Sequence, residues 1–196
     1  MLEVLGVILG LLYLWFGYRA SILVWAVGIV MSAIYIVVYY RAGIYADVGI
    51  NVYYVLAGIY GWITWIRKAQ NERPMPVSFA PRRYFMPLAL LFLITFVIIA
   101  AILINFTDST IPYGDSFTTA LSIVALWMLS RKYVEQWLVW IAVDVVCVWL
   151  YLYKGLYPTA GLYALYSVIA VFGYLRWRSL AKLARYEALS SAPQGG

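Results

Sequence analysis

No histidine occurs anywhere in the 196 residues, and the single cysteine, Cys147, lies inside an apolar run. One cysteine excludes an intrachain disulfide framework, and the two scarcities together exclude a histidine or cysteine metal cluster. Charge is equally sparse: Asp, Glu, Lys and Arg make up 11% of the chain, less than half the share of a soluble domain. A phosphate-binding loop of the Gly-x4-Gly-Lys-Ser/Thr kind is missing, so an ATP-driven pump would need its nucleotide-binding module from another chain. A membrane enzyme is disfavoured as well, because no Ser–Lys or paired-Asp arrangement is visible. No cofactor or metal is expected.

What the chain has in quantity is apolar surface. Hydrophobic residues are 66% of the sequence and the mean hydropathy is +0.88. Apolar segments fall near 2–18, 21–40, 44–66, 84–106, 116–130, 133–153 and 157–177, and most reach the roughly 17–25 residues that a helix needs to cross hydrocarbon. The first does not read as a signal peptide, since Glu3 stands where a basic start belongs and Arg19 leads into a second apolar run. The fold expected is an all-α integral membrane protein with seven transmembrane helices.

The net charge of +6 does not point to nucleic acid, because the basic residues sit at the ends of the apolar runs. Arg19, Arg67, Lys68, Arg73, Arg82, Arg83, Arg131, Lys132, Arg176, Arg178, Lys182 and Arg185 fall on one side of the expected bundle, against Arg41 and Lys154 on the other. That asymmetry places the N-terminus outside and the C-terminus in the cytoplasm of a multi-pass protein of the inner (plasma) membrane.

An internal repeat organises the rest. Shifted by 112 positions without a gap, Trp15 falls on Trp127, Arg19 on Arg131, Trp25 on Trp137 and Tyr39 on Tyr151. Gly43 meets Gly155, Tyr45 meets Tyr157, Gly49 meets Gly161, Tyr54 meets Tyr166, Gly61 meets Gly173 and Trp65 meets Trp177. Four spans separate equivalent helices, so the halves run in the same direction: a 3+1+3 parallel repeat, one of the designs transporters use. The chain divides into a first three-helix repeat (1–67), a cytoplasmic linker and connector helix (68–106), a second three-helix repeat (107–178) and a cytoplasmic tail expected to be disordered (179–196). The linker holds Pro74, Pro76 and Pro81 and is too short to fold alone. Duplication could also serve only to build a stable bundle.

The chemistry concentrates in span six. Trp137, Trp140 and Asp144 are spaced i, i+3, i+7 and share one helical face. Asp144 sits about 15 Å deep at ~1.5 Å per residue, where a charged carboxylate costs on the order of 3 kcal/mol. It then faces a polar cavity or a partner, or else is a structural carboxylate bonded to tyrosine hydroxyls of neighbouring spans. Two indoles above a carboxylate suit a flat cationic heteroaromatic ligand. At the same places in the first half stand Trp25, Gly28 and Ser32, so the polar face is not duplicated. Span three supplies Asp47, Asn51, Tyr54 and Gly58 on one stripe; Asn51 could bond a carboxamide or ribose hydroxyl, or equally another helix. In span five Thr118, Thr119 and Ser122 could line a polar path or bond back to their own helix. Trp65 and Trp177 read as interfacial anchors, and the Gly6–Gly10 pair as a close helix contact.

The run WLVWIAVDVVCVWLYLYKGLYPTAGLYALYSVIAVFGYLRW, together with YADVGINVYYVLAGIYGWITW, resembles the PnuC family of vitamin transporters, whose sixth span carries W-x-x-W-x-x-x-N/D followed by LYLYKGLY. With the 3+1+3 layout, the likeness covers nearly all of 1–178. It implies uptake of nicotinamide riboside or a related vitamin by facilitated diffusion, with trapping by cytoplasmic phosphorylation on the way to NAD. It also implies that Trp137, Trp140 and Asp144 contribute to the binding site. The nicotinamide riboside members carry Gln at the place of Asn51 and often Asn at that of Asp144, so thiamine stands as the alternative substrate. A SWEET-like sugar carrier is the more distant rival, since Pro87, Pro112 and Pro158 lie only at span ends. The partners implied are a small-molecule vitamin and the lipid bilayer, with a homo-oligomer left open.

Overall fold

The computed structural model describes residues 2–41, 45–70, 75–107 and 109–190. Among them are seven α-helices: α1 (Leu2–Tyr18), α2 (Leu23–Arg41), α3 (Tyr45–Gln70), α4 (Phe85–Phe106), α5 (Pro112–Ser130), α6 (Gln136–Tyr153) and α7 (Tyr157–Ser190). A 3₁₀ turn, Arg82–Tyr84, leads into α4. Four are long and apolar enough to cross a membrane: α2, α4 with its leading turn, α6 and α7. Over the part of α1 whose side chains are described, Gly6–Tyr18, the helix is apolar as well.

Helix boundaries follow local chemistry. α5 starts at Pro112, earlier than the apolar pattern suggests, because proline is preset for a first helical turn. α6 ends where Gly155 takes φ +72° and the Leu156 N–H bonds back to the Tyr151 carbonyl at 2.9 Å, a glycine C-cap. α7 overturns an expectation: the tail from 179 is not disordered but continues the helix to Ser190. Its run of Ala, Leu, Lys and Arg favours helix, and Ala181 is buried against the bundle. Residues 191–196 lie outside the described residues.

Packing runs in a ring with one outlier. α1 packs on α2 and α7, α2 on α3, α3 on α5, α5 on α6, and α6 on α7, while α4 packs on α5. At the end where the α1–α2 and α5–α6 turns lie, a tryptophan core forms. Trp25 meets Trp65 edge-on at 5.6 Å and 86°, and Trp137 meets Trp177 at 5.8 Å and 87°. Gly61 and Gly173 make room for these rings, because a Cβ at either would strike Trp25 or Trp137.

Trp65 and Trp177, expected as interfacial anchors, belong to this core, at 4% and 0% exposure. The last carbonyls of α1 and α5 have no partner within their helices. The Trp65 indole N–H donates to the Ser130 carbonyl at 3.1 Å, and that of Trp177 to the Gly17 and Tyr18 carbonyls at 3.1 and 3.3 Å. The turns that follow these helix ends match too: Ala20 and Lys132 hold φ of 52° and 53°. Arg19 lies over Trp15 at 5.3 Å and Arg131 over Trp127 at 5.5 Å.

The linker does not stand free. Ser78 forms a parallel bridge to Tyr133, with its N–H on the Lys132 carbonyl at 3.1 Å and its carbonyl accepting from Val134 N–H at 3.0 Å. The Ala80 N–H donates to Glu135 Oε2 at 2.9 Å, and Val77 and Ala80 are buried. Arg73 and Pro74 lie outside the described residues.

Candidate functional site

Asp144 lies eight residues into α6, about 12 Å along it at ~1.5 Å per residue, and is 5% exposed. Cys147 on α6 and Tyr163 and Tyr166 on α7 lie within electrostatic reach of its carboxylate. Among the described residues nothing hydrogen-bonds that carboxylate. Tyr163 is instead engaged with Tyr151, stacked at 5.2 Å and 17° and joined to it by a side-chain hydrogen bond. Tyrosines of a neighbouring helix are therefore near Asp144 without bonding to it. A carboxylate in so enclosed a place is costly, and a ligand donor would relieve it.

The three residues of the α6 face are placed differently. Trp137 is buried in the tryptophan core against Trp177, with Gly17 and Gly173 against its ring, and among the described residues its indole N–H has no partner. Trp140 is half-buried and lies one turn from Asp144. On α3, Asn51 is buried and Tyr54 half-buried, the latter edge-on to Tyr53 at 5.8 Å. That helix packs on α2 and α5, and Tyr54 lies within electrostatic reach of Tyr13 on α1. Nothing is described of the Asp47 side chain.

Thr118 and Ser122 direct their hydroxyl protons to α5 itself. Thr118 donates to the Gly114 and Asp115 carbonyls at 3.2 and 3.1 Å, and Ser122 to the Thr118 carbonyl at 2.8 Å. The two hydroxyls can then offer a passing solute only lone pairs.

Sequence reasoning missed the tyrosines on the other side of Asp144. Gly6 and Gly10, expected as a helix contact, each seat a tyrosine hydroxyl. A Cβ on Gly6 would run into that of Tyr35, and one on Gly10 into that of Tyr166. Tyr166 lies within reach of both Tyr35 and Asp144, so α1, α2, α6 and α7 converge here. The signal was present, since Tyr166 matches Tyr54 under the 112-residue shift.

At the α5–α6 turn, Lys132 stands over the Trp65 ring at 4.2 Å. Burial pushes its ammonium below the ordinary lysine range, and it raises the neighbouring Tyr133 phenol above its own.

Residues 1–179 match the family model described as nicotinamide mononucleotide transporter. The nicotinamide riboside transporter PnuC of Escherichia coli is 26% identical over 218 residues, covering 96% of this chain and 90% of that one. The transporter of the same name from Neisseria mucosa is 25% identical over 186 residues, covering 88% and 70%. The riboflavin/roseoflavin transporter RibM of Streptomyces davaonensis is 24% identical over 194 residues, covering 97% and 91%. In fold, the chain is similar to the crystal structure of the vitamin B3 transporter PnuC, with a TM-score of 0.71 and 23% identity over 90% of this chain and 80% of that one. The chain belongs to the nicotinamide mononucleotide transporter family, a family of membrane transporters and not of enzymes.

Proposed function

We propose that this protein takes up nicotinamide riboside through the inner membrane by facilitated diffusion. The observation that carries the reading is Asp144: a mid-helix carboxylate, buried, near tyrosines yet bonded to none of them among the described residues. Nicotinamide riboside presents a flat pyridinium, an amide and ribose hydroxyls. The carboxylate answers the charge and accepts from an amide or hydroxyl, while Trp140 offers a stacking face one turn away. Trp137 is assigned to the same site, where the group it has to offer is its unpartnered buried N–H, since its ring packs on Trp177. Asn51 and Tyr54 contribute a second polar wall, and Thr118 and Ser122 accept hydrogen bonds along the path. The similarity to two nicotinamide riboside transporters over 88–96% of the chain supports the substrate.

We also infer seven spans in a 3+1+3 parallel repeat, with the N-terminus outside and the C-terminus in the cytoplasm. The basic asymmetry supports the orientation. The matched indole pairs, indole-to-carbonyl bonds and left-handed residues, each 112 positions apart, support the repeat. α1 meets α7 as α5 meets α3, the pairing expected of two equivalent halves.

Riboflavin is the second reading, because RibM matches over 97% of the chain; it is uncharged and leaves the Asp144 charge without a role. Thiamine, a flat cation like nicotinamide riboside, satisfies the same argument. Counterflow in liposomes with each of the three vitamins tests the reading. Exchange of nicotinamide riboside is expected, and exchange of riboflavin or thiamine alone overturns the assignment.

A further inference from the structure

Between α1 and α7 an apolar groove of about 630 Å³ opens to the outside of the bundle. Leu11, Leu12, Ile169 and Phe172 form its walls, and Trp15 and Tyr18, stacked at 6.1 Å and 22°, lie at one end. Along α1 it runs from Ile8 to Tyr18, about 15 Å at ~1.5 Å per residue. That is about half of the ~30 Å hydrocarbon core, the depth of a single leaflet. The aromatic end is capped by two guanidiniums: Arg19 lies over Trp15 at 5.3 Å and Arg176 over Tyr18 at 4.7 Å. Among the described residues neither has an acidic partner.

The other half shows that this face calls for a cover. At 112 positions further on, α5 carries Ala120, Val124 and Trp127 where α1 carries Ile8, Leu12 and Trp15. α4 covers the α5 face, with Leu88 in one buried cluster with Val124 and Met128, Leu91 and Phe92 packed against that cluster, and Tyr84 against Trp127 at 5.4 Å. Ala120 is 0% exposed, whereas Ile8 is 49% exposed. No described helix of this chain does for α1 what α4 does for α5.

We propose that the α1–α7 groove is a binding site for an anionic phospholipid. One acyl chain lies along Leu12 and Phe172, and the phosphate sits between Arg19 and Arg176. The length matches one leaflet, the walls match an acyl chain, and two uncompensated cations stand where a headgroup would lie. Arginine with its planar fork is suited to the phosphate oxygens.

The test is native mass spectrometry of the delipidated full chain, titrated with dioleoylphosphatidylglycerol or dioleoylphosphatidylcholine. The anionic lipid is expected to bind roughly tenfold more tightly. Arg19→Gln with Arg176→Gln should abolish that preference, with melting temperature as the check on folding. Leu12→Trp, which fills the groove and leaves both arginines intact, should weaken both lipids. Lys182→Gln, an exposed cation further along α7, should change nothing. Equal affinity for the two lipids, or an equal loss in Lys182→Gln, would overturn the proposal. So would disulfide-linked dimers through Leu12→Cys that exclude the lipid, since a second copy would then occupy the groove.

Discussion

Trp65 donates its indole N–H to the backbone carbonyl of Ser130, 65 residues away, at 3.1 Å. The same bond recurs 112 positions on, from Trp177 to the carbonyls of Gly17 and Tyr18. The first ties α3 to the end of α5, and the second ties α7 to the end of α1. Trp65→Phe and Trp177→Phe keep an aromatic ring, smaller than the indole, and delete the donor, so that the Ser130 or the Tyr18 carbonyl loses its indole partner while Gly17 keeps the Ala20 N–H at 2.9 Å. Each should cost about 1–3 kcal/mol, or ~2–4 °C of melting temperature per kcal/mol, by thermal unfolding in detergent. If both act only as interfacial anchors, neither change should matter.

Gly10→Ala tests the hydroxyl seat beside Asp144. The added methyl displaces the Tyr166 hydroxyl, and overpacking of this kind costs about 1–3 kcal/mol. Substrate binding measured by calorimetry should fall roughly five- to tenfold in a folded protein. Adding Tyr166→Phe removes the colliding oxygen and should restore part of the loss. Failure of the double variant to recover would show that Gly10 matters for helix packing instead.

The orientation can be read directly. A reporter fused after Arg185 should be cytoplasmic and one placed before Glu3 extracellular, since twelve of the fourteen basic residues fall on one side of the expected bundle. If both reporters fall on the same side, the count of seven spans is wrong.

Energetics offer a separate check. Asp144 is a buried carboxylate with no adjacent basic relay on its helix face, so uptake should follow the substrate gradient alone. In proteoliposomes, collapsing the proton gradient should leave the initial rate unchanged. Accumulation of substrate driven by an imposed pH difference would contradict uniport.

Helix content and family were legible because they rest on long-range regularities. The seven apolar runs anticipate seven helices to within a few residues at most ends, and the span-six motif pointed to the family that matches residues 1–179. Tertiary contacts were less legible. Tryptophan near a span end reads as an interfacial anchor, and nothing local to Trp65 or Trp177 announces a helix-end carbonyl far away in the sequence that will accept its N–H. The helix over 179–190 escaped because Arg and Lys there resemble a solvated tail, although their propensity favours helix. The Gly6–Gly10 spacing was visible, but which side chain fills the space above a glycine depends on the rotation of α2 and α7, and that is a property of the assembled bundle.

The most direct test of the central claim is nicotinamide riboside binding to purified Asp144→Ala, measured by titration calorimetry beside the parent protein and Ser32→Ala. Losing a buried carboxylate that a cationic ligand engages should weaken binding by about 1–3 kcal/mol, roughly five- to 150-fold, in a folded, monodisperse protein. Ser32→Ala, at the equivalent place on α2, should bind nearly as the parent does. A folded Asp144→Ala that binds as tightly as the parent, or an equal loss at Ser32, would contradict a binding site built around Asp144.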